Sequence, residues 1–302
     1  MEAKGKRIGV IMGGPSSERE VSLRTGRGVL EALLSRGHDA VGIDWRAGES
    51  LPAALLAERV EVAWVALHGV WGEDGCVQGL LECMGVPYTG SSVMGSAIAM
   101  DKVMSRRILE RVGVPAPRWT LHEGPGRPAM ELPLVVKPSR EGSSVGVTIV
   151  RDEAGIAPAI AEARRHHGQV MVEEFIAGRE INVGILDDAV LGDVEVRPNA
   201  EFYTYEAKYL RGDTTYLCPA PIDEPLRRKI GEVALAAHRA LGCNGYSRVD
   251  LMVTADDRPL CLEVNTLPGM TATSLLPKIA AAAGMDYATL CERILAGASL
   301  KA

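Results

Sequence analysis

Aromatic side chains are scarce in this 302-residue chain, 4% of it against 47% hydrophobic residues overall, so its interior has to be packed mainly by aliphatic groups. Long apolar runs are absent as well. VAWVAL (62–67) falls well short of the roughly 20 residues that span a bilayer, and the N-terminal IGVIM is too short for the core of a secretory signal. A soluble, cytoplasmic protein without a membrane partner is expected. The six cysteines, at 76, 83, 218, 243, 261 and 291, form no C-x-x-C pair, which argues against zinc and disulfide frameworks and predicts reduced, mostly buried thiols. No basic block interrupts a net charge of −6, so nucleic acid is not the expected partner, although a local cationic pocket for a nucleotide is compatible with it.

Two common phosphate-binding fingerprints are missing too. GGPSSE (13–18) is not G-x-G-x-x-G, and the lysine of VKPSREGSSVG (136–146) precedes its glycines in a loop between strands, unlike a Walker A sequence. What remains is organised for a cleft. The length suits two or three domains. Residues 6–45 read as strand, glycine-containing loop, amphipathic helix and strand, a unit that favours a parallel sheet with its ligand at the strands' carboxyl ends. Val21, Leu23, Val29, Leu30, Leu33 and Leu34 supply the helix's apolar surface, and Gly37 stops it. In the loop, Glu18 suits an ammonium group; Ser16 or Ser17 capping the helix with Glu18 favouring its dipole is an equally good reading. A second buried strand is expected to end at His68, before a helix over 77–84. A strand-end histidine borders a cleft, though such residues are more often structural.

Residues 94–113 read as one helical stretch carrying Lys102. A strand then ends at Lys137, followed by a serine- and glycine-rich loop (138–146) whose backbone amides suit phosphate oxygens; a hairpin without function is the plainer reading. Residues 152–168 form a surface helix whose start Pro158 delays. Next come a strand, a turn at 177–179 and a second strand, bracketed by Glu173, Glu174 and Glu180, which fit adenine or ribose contacts or simple solvation. Residues 202–209 pack three tyrosines, a glutamate and a lysine into a loop, the composition of a lid. The stretch 245–270 carries the most chemistry. SRVDLMV and PLCLEVN each alternate apolar and polar side chains, and residues two apart in a strand share a face. Arg248 and Asp250 therefore lie together, as do Glu263 and Asn265, and pairing the strands gathers an oxygen donor set suited to Mg²⁺ beside phosphates. A merely solvated hairpin face is the alternative.

In series, GGPSSEREVSL, ALHGVWGEDG, VKPSREGSSVG, YEAKYL, GYSRVD and LEVNTLPGMT resemble the motifs of the D-alanine–D-alanine ligases of the ATP-grasp superfamily, in that family's order and almost end to end. The resemblance implies an α/β protein, α+β in its ATP-binding part: a three-domain ATP-grasp fold with an N-terminal Rossmann-like parallel-sheet domain (1–93), a central subdomain (94–180) and a C-terminal metal and catalytic subdomain with a lid loop (181–302). It implies ATP-dependent joining of two D-alanines through D-alanyl phosphate for peptidoglycan precursors, in a cytoplasmic homodimer. Carried over by position, Asp250, Glu263 and Asn265 would hold two Mg²⁺ ions, with Mn²⁺ as the alternative. Lys102, Lys137 and Ser144 would contact phosphates, and Glu173, Glu174 and Glu180 the adenosine. Glu18, with His68 beside it, would hold the first D-alanine; Arg248 and the Gly269 amide would stabilise the tetrahedral oxyanion; Ser274 would receive the second carboxylate. Lys208 and Tyr209 belong to the lid, which Ser143 and Tyr209 would link to Glu18. The YEAKY form resembles the dipeptide-forming type rather than the D-alanyl-D-lactate type. Departures are minor: Phe175 where many relatives carry tryptophan, and the Gly-Ile-Ala-Pro helix start. Two other readings compete: another ATP-grasp carboxylate–amine ligase, and a nucleotide-binding regulatory module without turnover, which predicts damaged metal ligands that are not found.

Overall fold

The computed structural model describes residues 5–166, 168–198 and 214–301. Among these described residues there are three sheets. The first is parallel, with the order β2-β1-β3 formed by β1 (Ile8–Gly13), β2 (Ala40–Trp45) and β3 (Val62–Val65). Helix α1 (Arg19–Ser35) crosses between β1 and β2, α2 (Leu51–Ala57) between β2 and β3, and α3 (Cys76–Met84) follows. This is the β-α-β arrangement read from the sequence, with Arg36 at the helix C-cap and Gly37 at φ +80° turning the chain away. Six-for-six burial of β1 explains its uninterrupted apolar run. Leu34 departs from expectation: it is 50% exposed, because the core-facing stripe of α1 is already filled by Val29 and Leu33. His68 also lies beyond its strand, three residues past the end of β3, in the loop that leads to α3.

The helical stretch after residue 93 is two helices, α4 (Val93–Met100) and α5 (Lys102–Arg111). Asp101 separates them in an extended conformation, and its carboxylate accepts from Val103 and Met104 N–H at 3.0 and 3.1 Å, so Lys102 opens α5 at its first position. The second sheet, antiparallel with order β4-β7-β5-β6, is built from β4 (Trp119–Leu121), β5 (Leu134–Pro138), β6 (Thr148–Val150) and β7 (Val170–Glu174). Helix α6 (Glu153–Ala163) backs it. Pro158 sits inside α6 and does not delay its start, since Asp152 caps the helix by accepting from Gly155 N–H at 2.9 Å; what the proline removes is one interior hydrogen bond.

The third sheet has the order β10-β9-β8-β11-β12: β8 (Arg179–Leu186), β9 (Ala189–Arg197), β10 (Thr215–Leu217), β11 (Tyr246–Val253) and β12 (Pro259–Asn265). The strands either side of residues 175–178 therefore do not pair with each other; that short segment crosses from one antiparallel sheet to the other. Val183, Val249, Leu251 and their neighbours on one face pack with α7 (Glu224–Ala240), each buried aliphatic side chain contributing about 1.5–3 kcal/mol. The opposite face lines the cleft. Two last helices, α8 (Leu275–Ala282) and α9 (Tyr287–Ala296), return the chain to the first sheet, where Leu276, Leu290 and Ile294 join the core around Trp64. All six cysteines are free, but only 243, 261 and 291 are buried; 76 and 83 are exposed on α3. No helix among the described residues is long and apolar enough to cross a membrane.

Candidate active site

A cavity of about 410 Å³ opens between the two antiparallel sheets. Val135, Ile176, Met252 and Leu262 give it apolar walls, Glu174 and Glu180 stand at one end, and Lys102, Lys137, Ser144, Asp250 and Glu263 at the other. Flat apolar walls with polar groups at the edges suit a purine, and the cationic end suits phosphates. Glu174 is held by Arg118, whose N–H and Nε donate at 2.9 and 2.8 Å. Glu173 is engaged differently. Its Oε1 accepts from Arg106 Nε and Nη2 at 3.1 and 2.6 Å, and its Oε2 lies 2.5 Å from Lys137 Nζ. About three of the roughly four acceptor positions of that carboxylate are thereby filled. Burial pushes the Lys137 pKa below its ordinary value, and Arg106 and Lys102 push it further, against the pull of Glu173. Burial works against the Glu173 carboxylate, yet Arg106 and Lys137 hold its pKa below the usual range.

The hairpin of β11 and β12 delivers what its alternation promised. Arg248 pairs across the ladder with Asn265, and Asp250 with Glu263, so the four side chains share one face. Arg248 grips Asp250 bidentately, Nε to Oδ1 at 2.6 Å and Nη2 to Oδ2 at 2.7 Å. Glu263 lies 3.5 Å from Lys102 Nζ, which also donates to the Glu141 carbonyl at 2.6 Å. Asn265 Oδ1 accepts from Leu267 N–H at 3.0 Å. On the neighbouring strand Asn182 is the cross-strand partner of Asp250, and its buried Oδ1 has no hydrogen-bond partner among the described residues. Two carboxylates and amide oxygens on one face are hard donors that fit a divalent cation completed by phosphate oxygens.

A second, smaller cavity adjoins the first, and Lys102, Glu141 and Glu263 line both. Its far wall is the parallel-sheet unit. Glu18 is the N-cap of α1, and Ser16 ties its loop to the next by donating to the His68 carbonyl at 2.7 Å while accepting from Glu18 N–H at 3.2 Å. The Glu18 carboxylate accepts from Ser143 Oγ at 2.5 Å, across from the loop that follows β5. His68 lies 3.1 Å from Thr25 Oγ1 and 3.4 Å from Glu73. Burial disfavours the imidazolium, but Glu73 and Glu18 outweigh it and the His68 pKa lies above its ordinary value. Burial likewise raises Glu73, against the help of His68. At the opposite side, Ser274 begins α8 and points its hydroxyl at Thr271, whose N–H donates at 3.0 Å. Gly269 packs so closely that a Cβ there would sit 2.8 Å from Ser274 Oγ. A helix start with a serine at its cap favours a carboxylate.

The structure thus brings Glu18, His68, Ser143, Arg248, Glu263, Asn265, Gly269 and Ser274 around one cavity, and Lys137, Ser144, Glu173, Glu174, Glu180 and Asp250 around the other. Lys208 and Tyr209, with the rest of the expected lid, lie outside the described residues. Glu73 and Arg106 were not anticipated. Arg106 had a signal, since it follows Lys102 by four residues on one helix face; Glu73 had none that separated it from its neighbour Asp74.

Comparison with known proteins agrees with this geometry. The model of the D-ala D-ala ligase C-terminus matches residues 126–296, and that of the D-ala D-ala ligase N-terminus residues 46–91. The chain belongs to the D-alanine–D-alanine ligase family. A D-alanine–D-alanine ligase of Anaeromyxobacter sp. (strain Fw109-5) is 53% identical, with 99% of this chain and 98% of that protein covered. The ligase of Geotalea uraniireducens (strain Rf4) is 50% identical over the same shares. Among solved structures, the D-alanine–D-alanine ligase of Bacillus anthracis superposes with a TM-score of 0.87 at 40% identity, covering 97% of each chain. The same enzyme complexed with ATP gives 0.84 at 38% identity and the same coverage. These ligase neighbours carry the ATP-grasp fold, and the two antiparallel sheets here, preceded by the parallel sheet, belong to it.

Proposed function

We propose that the chain joins two D-alanine molecules into D-alanyl-D-alanine at the expense of ATP, through D-alanyl phosphate, releasing ADP and phosphate. The observation that carries this reading is the shared wall of the two cavities: Lys102 and Glu263 border both, so a γ-phosphate in the larger can meet a carboxylate in the smaller. A carboxylate resists attack by an amine until its oxygen is phosphorylated, and the acyl phosphate must then be kept from water.

In this reading Glu18, with His68 beside it, takes the ammonium of the first D-alanine, and Lys102, Lys137 and Ser144 grip the phosphates. Glu174 and Glu180 receive the adenosine, and Glu173 acts on the nucleotide chiefly through Lys137. Arg248 and the Gly269 N–H stabilise the tetrahedral oxyanion, while Ser274 and the start of α8 hold the carboxylate of the second D-alanine. Asp250, Glu263 and Asn265 would hold two Mg²⁺ ions, or Mn²⁺, which neutralise and align the phosphates when bound. Residues 202–213, with Lys208 and Tyr209, would cover the site, and Ser143 would join Tyr209 in tying that cover to Glu18. We assign the chain three domains (1–93, 94–180, 181–302), a homodimeric state, a place in the cytoplasm and a part in peptidoglycan precursor supply.

The test is phosphate release with ATP, Mg²⁺ and a panel of D- and L-amino acids and D-lactate, each product identified by mass. Release with D-alanine alone, giving the dipeptide, is the expected result. Release only with a different amino acid pair would assign the chain another carboxylate–amine ligation, and release with D-lactate but not D-alanine as second substrate would reject the dipeptide assignment.

A further inference from the structure

Arg106 is one helical turn beyond Lys102 on α5, and its side chain is only 3% exposed. Besides its two bonds to Glu173 on β7, its Nη2 donates to the Leu262 carbonyl at 3.1 Å and its Nη1 donates to the Cys261 carbonyl, both on β12. One guanidinium therefore spans the two sheets that enclose the nucleotide cleft, immediately beside Glu263. Its planar fork of five donors makes four hydrogen bonds to a carboxylate and two carbonyls at once, one more than the three donors of a lysine allow.

The charges matter as much as the geometry. Glu173 carries one negative charge and touches two cations, Arg106 through Oε1 and Lys137 through Oε2. The trio keeps a net positive charge. Without Arg106, Glu173 and Lys137 would cancel each other at the end of the cavity where Lys102 and Ser144 also stand.

We infer that Arg106 is a positioning residue of the nucleotide cleft. It ties β12 to β7 and takes up the charge of Glu173, leaving Lys137 a surplus positive charge for the triphosphate. The inference rests on the ATP-dependent reading above. The experiment is calorimetric titration of the whole chain with ATP and Mg²⁺ in the absence of D-alanine, beside thermal unfolding and the two KM values. For Arg106→Met, ATP affinity is expected to fall roughly tenfold or more and the KM for ATP to rise in step, the size of one charge-assisted contact, while the KM for D-alanine moves less than about twofold. Adding Glu173→Gln to Arg106→Met removes the charge that now cancels Lys137, and most of the lost ATP affinity is expected to return. Arg106→Lys keeps the charge but not both carbonyl contacts, and is expected to fall between. A double variant no tighter than Arg106→Met overturns the inference. So does wild-type ATP affinity in Arg106→Met or, should that variant not fold, in Arg106→Lys. A wild-type chain that fails to bind ATP sinks the ligase reading instead.

Discussion

Replacing Glu18 by glutamine changes little but charge. The amide keeps the shape of the carboxylate, can still accept from Ser143 Oγ, now at 2.5 Å, and fits a site with no slack, since Cβ atoms built at Gly69 and Gly142 would lie 2.8 and 3.2 Å from Glu18 Oε2. What is lost is the charge-assisted contact with an ammonium group. Such contacts are worth about 1.5–3 kcal/mol, so the KM for the first D-alanine should rise roughly 10- to 150-fold. The KM for ATP, bound in the neighbouring cavity, should stay within about twofold. Because phosphate release requires both D-alanine sites to be filled, its rate should rise with the square of D-alanine concentration at the low end, and that limb should shift to higher concentration while the maximal rate holds. Circular dichroism and thermal unfolding check that the variant keeps the fold. Unchanged dependence on D-alanine, or an equal rise in the KM for ATP, would refute the placing of the ammonium at Glu18.

Three further outcomes follow from the same geometry. Glu263→Gln should lower turnover by about a hundredfold or more while the melting temperature holds, as expected of a divalent-ion ligand; near-normal phosphate release would remove the metal assignment. His68 has a folded pKa above its ordinary 6.5, so its protonation contributes stability that is complete below that value and lost as pH rises through the folded one. Urea titrations of the wild type and His68→Gln should therefore converge with rising pH, and divergence would contradict the sign. His238→Ala should cost about 2–4 kcal/mol, because Nδ1 lies 2.7 Å from the buried Ser247 hydroxyl and Nε2 lies 2.9 Å from Asp188; a loss under about 0.5 kcal/mol in urea unfolding would show that Ser247 finds another partner.

Legibility in the sequence tracked the range of the interaction concerned. The Arg248-Asp250 and Glu263-Asn265 faces were readable because strand periodicity is local and a short turn sets the pairing. The β-α-β unit was readable for the same reason. Pro158 misled because an Asp152 cap a few residues earlier outweighed the proline, and the break at Asp101 was hidden by apolar residues on both sides. Arg106 could not be assigned a partner, since Glu173 and the carbonyls of Cys261 and Leu262 are 67, 155 and 156 positions away. The crossing at residues 175–178 looked like an ordinary hairpin turn because nothing local distinguishes a turn within a sheet from a passage between sheets. Function was legible where several short motifs stood in a fixed order, which no single loop supplied.

One loop connects the two halves of the chemistry. Residues 139–147 place Ser143 on Glu18 of the parallel-sheet unit and the Glu141 carbonyl on Lys102, which in turn faces Glu263 of β12. Ser143 and Ser144 hold φ values of 52° and 62°, left-handed conformations that cost non-glycine residues on the order of 1 kcal/mol or more each and persist where surrounding contacts over-determine them. Here the contacts come from both cavities. A ligand that draws Glu18 away from Ser143 loosens one anchor, and phosphates that engage Ser144 and Lys102 tighten the other. The same short loop thus holds an anchor at each cavity, and a change at one can reach the other through it. Because such coupling is reciprocal, whatever factor D-alanine imposes on ATP binding through this loop, ATP imposes on D-alanine.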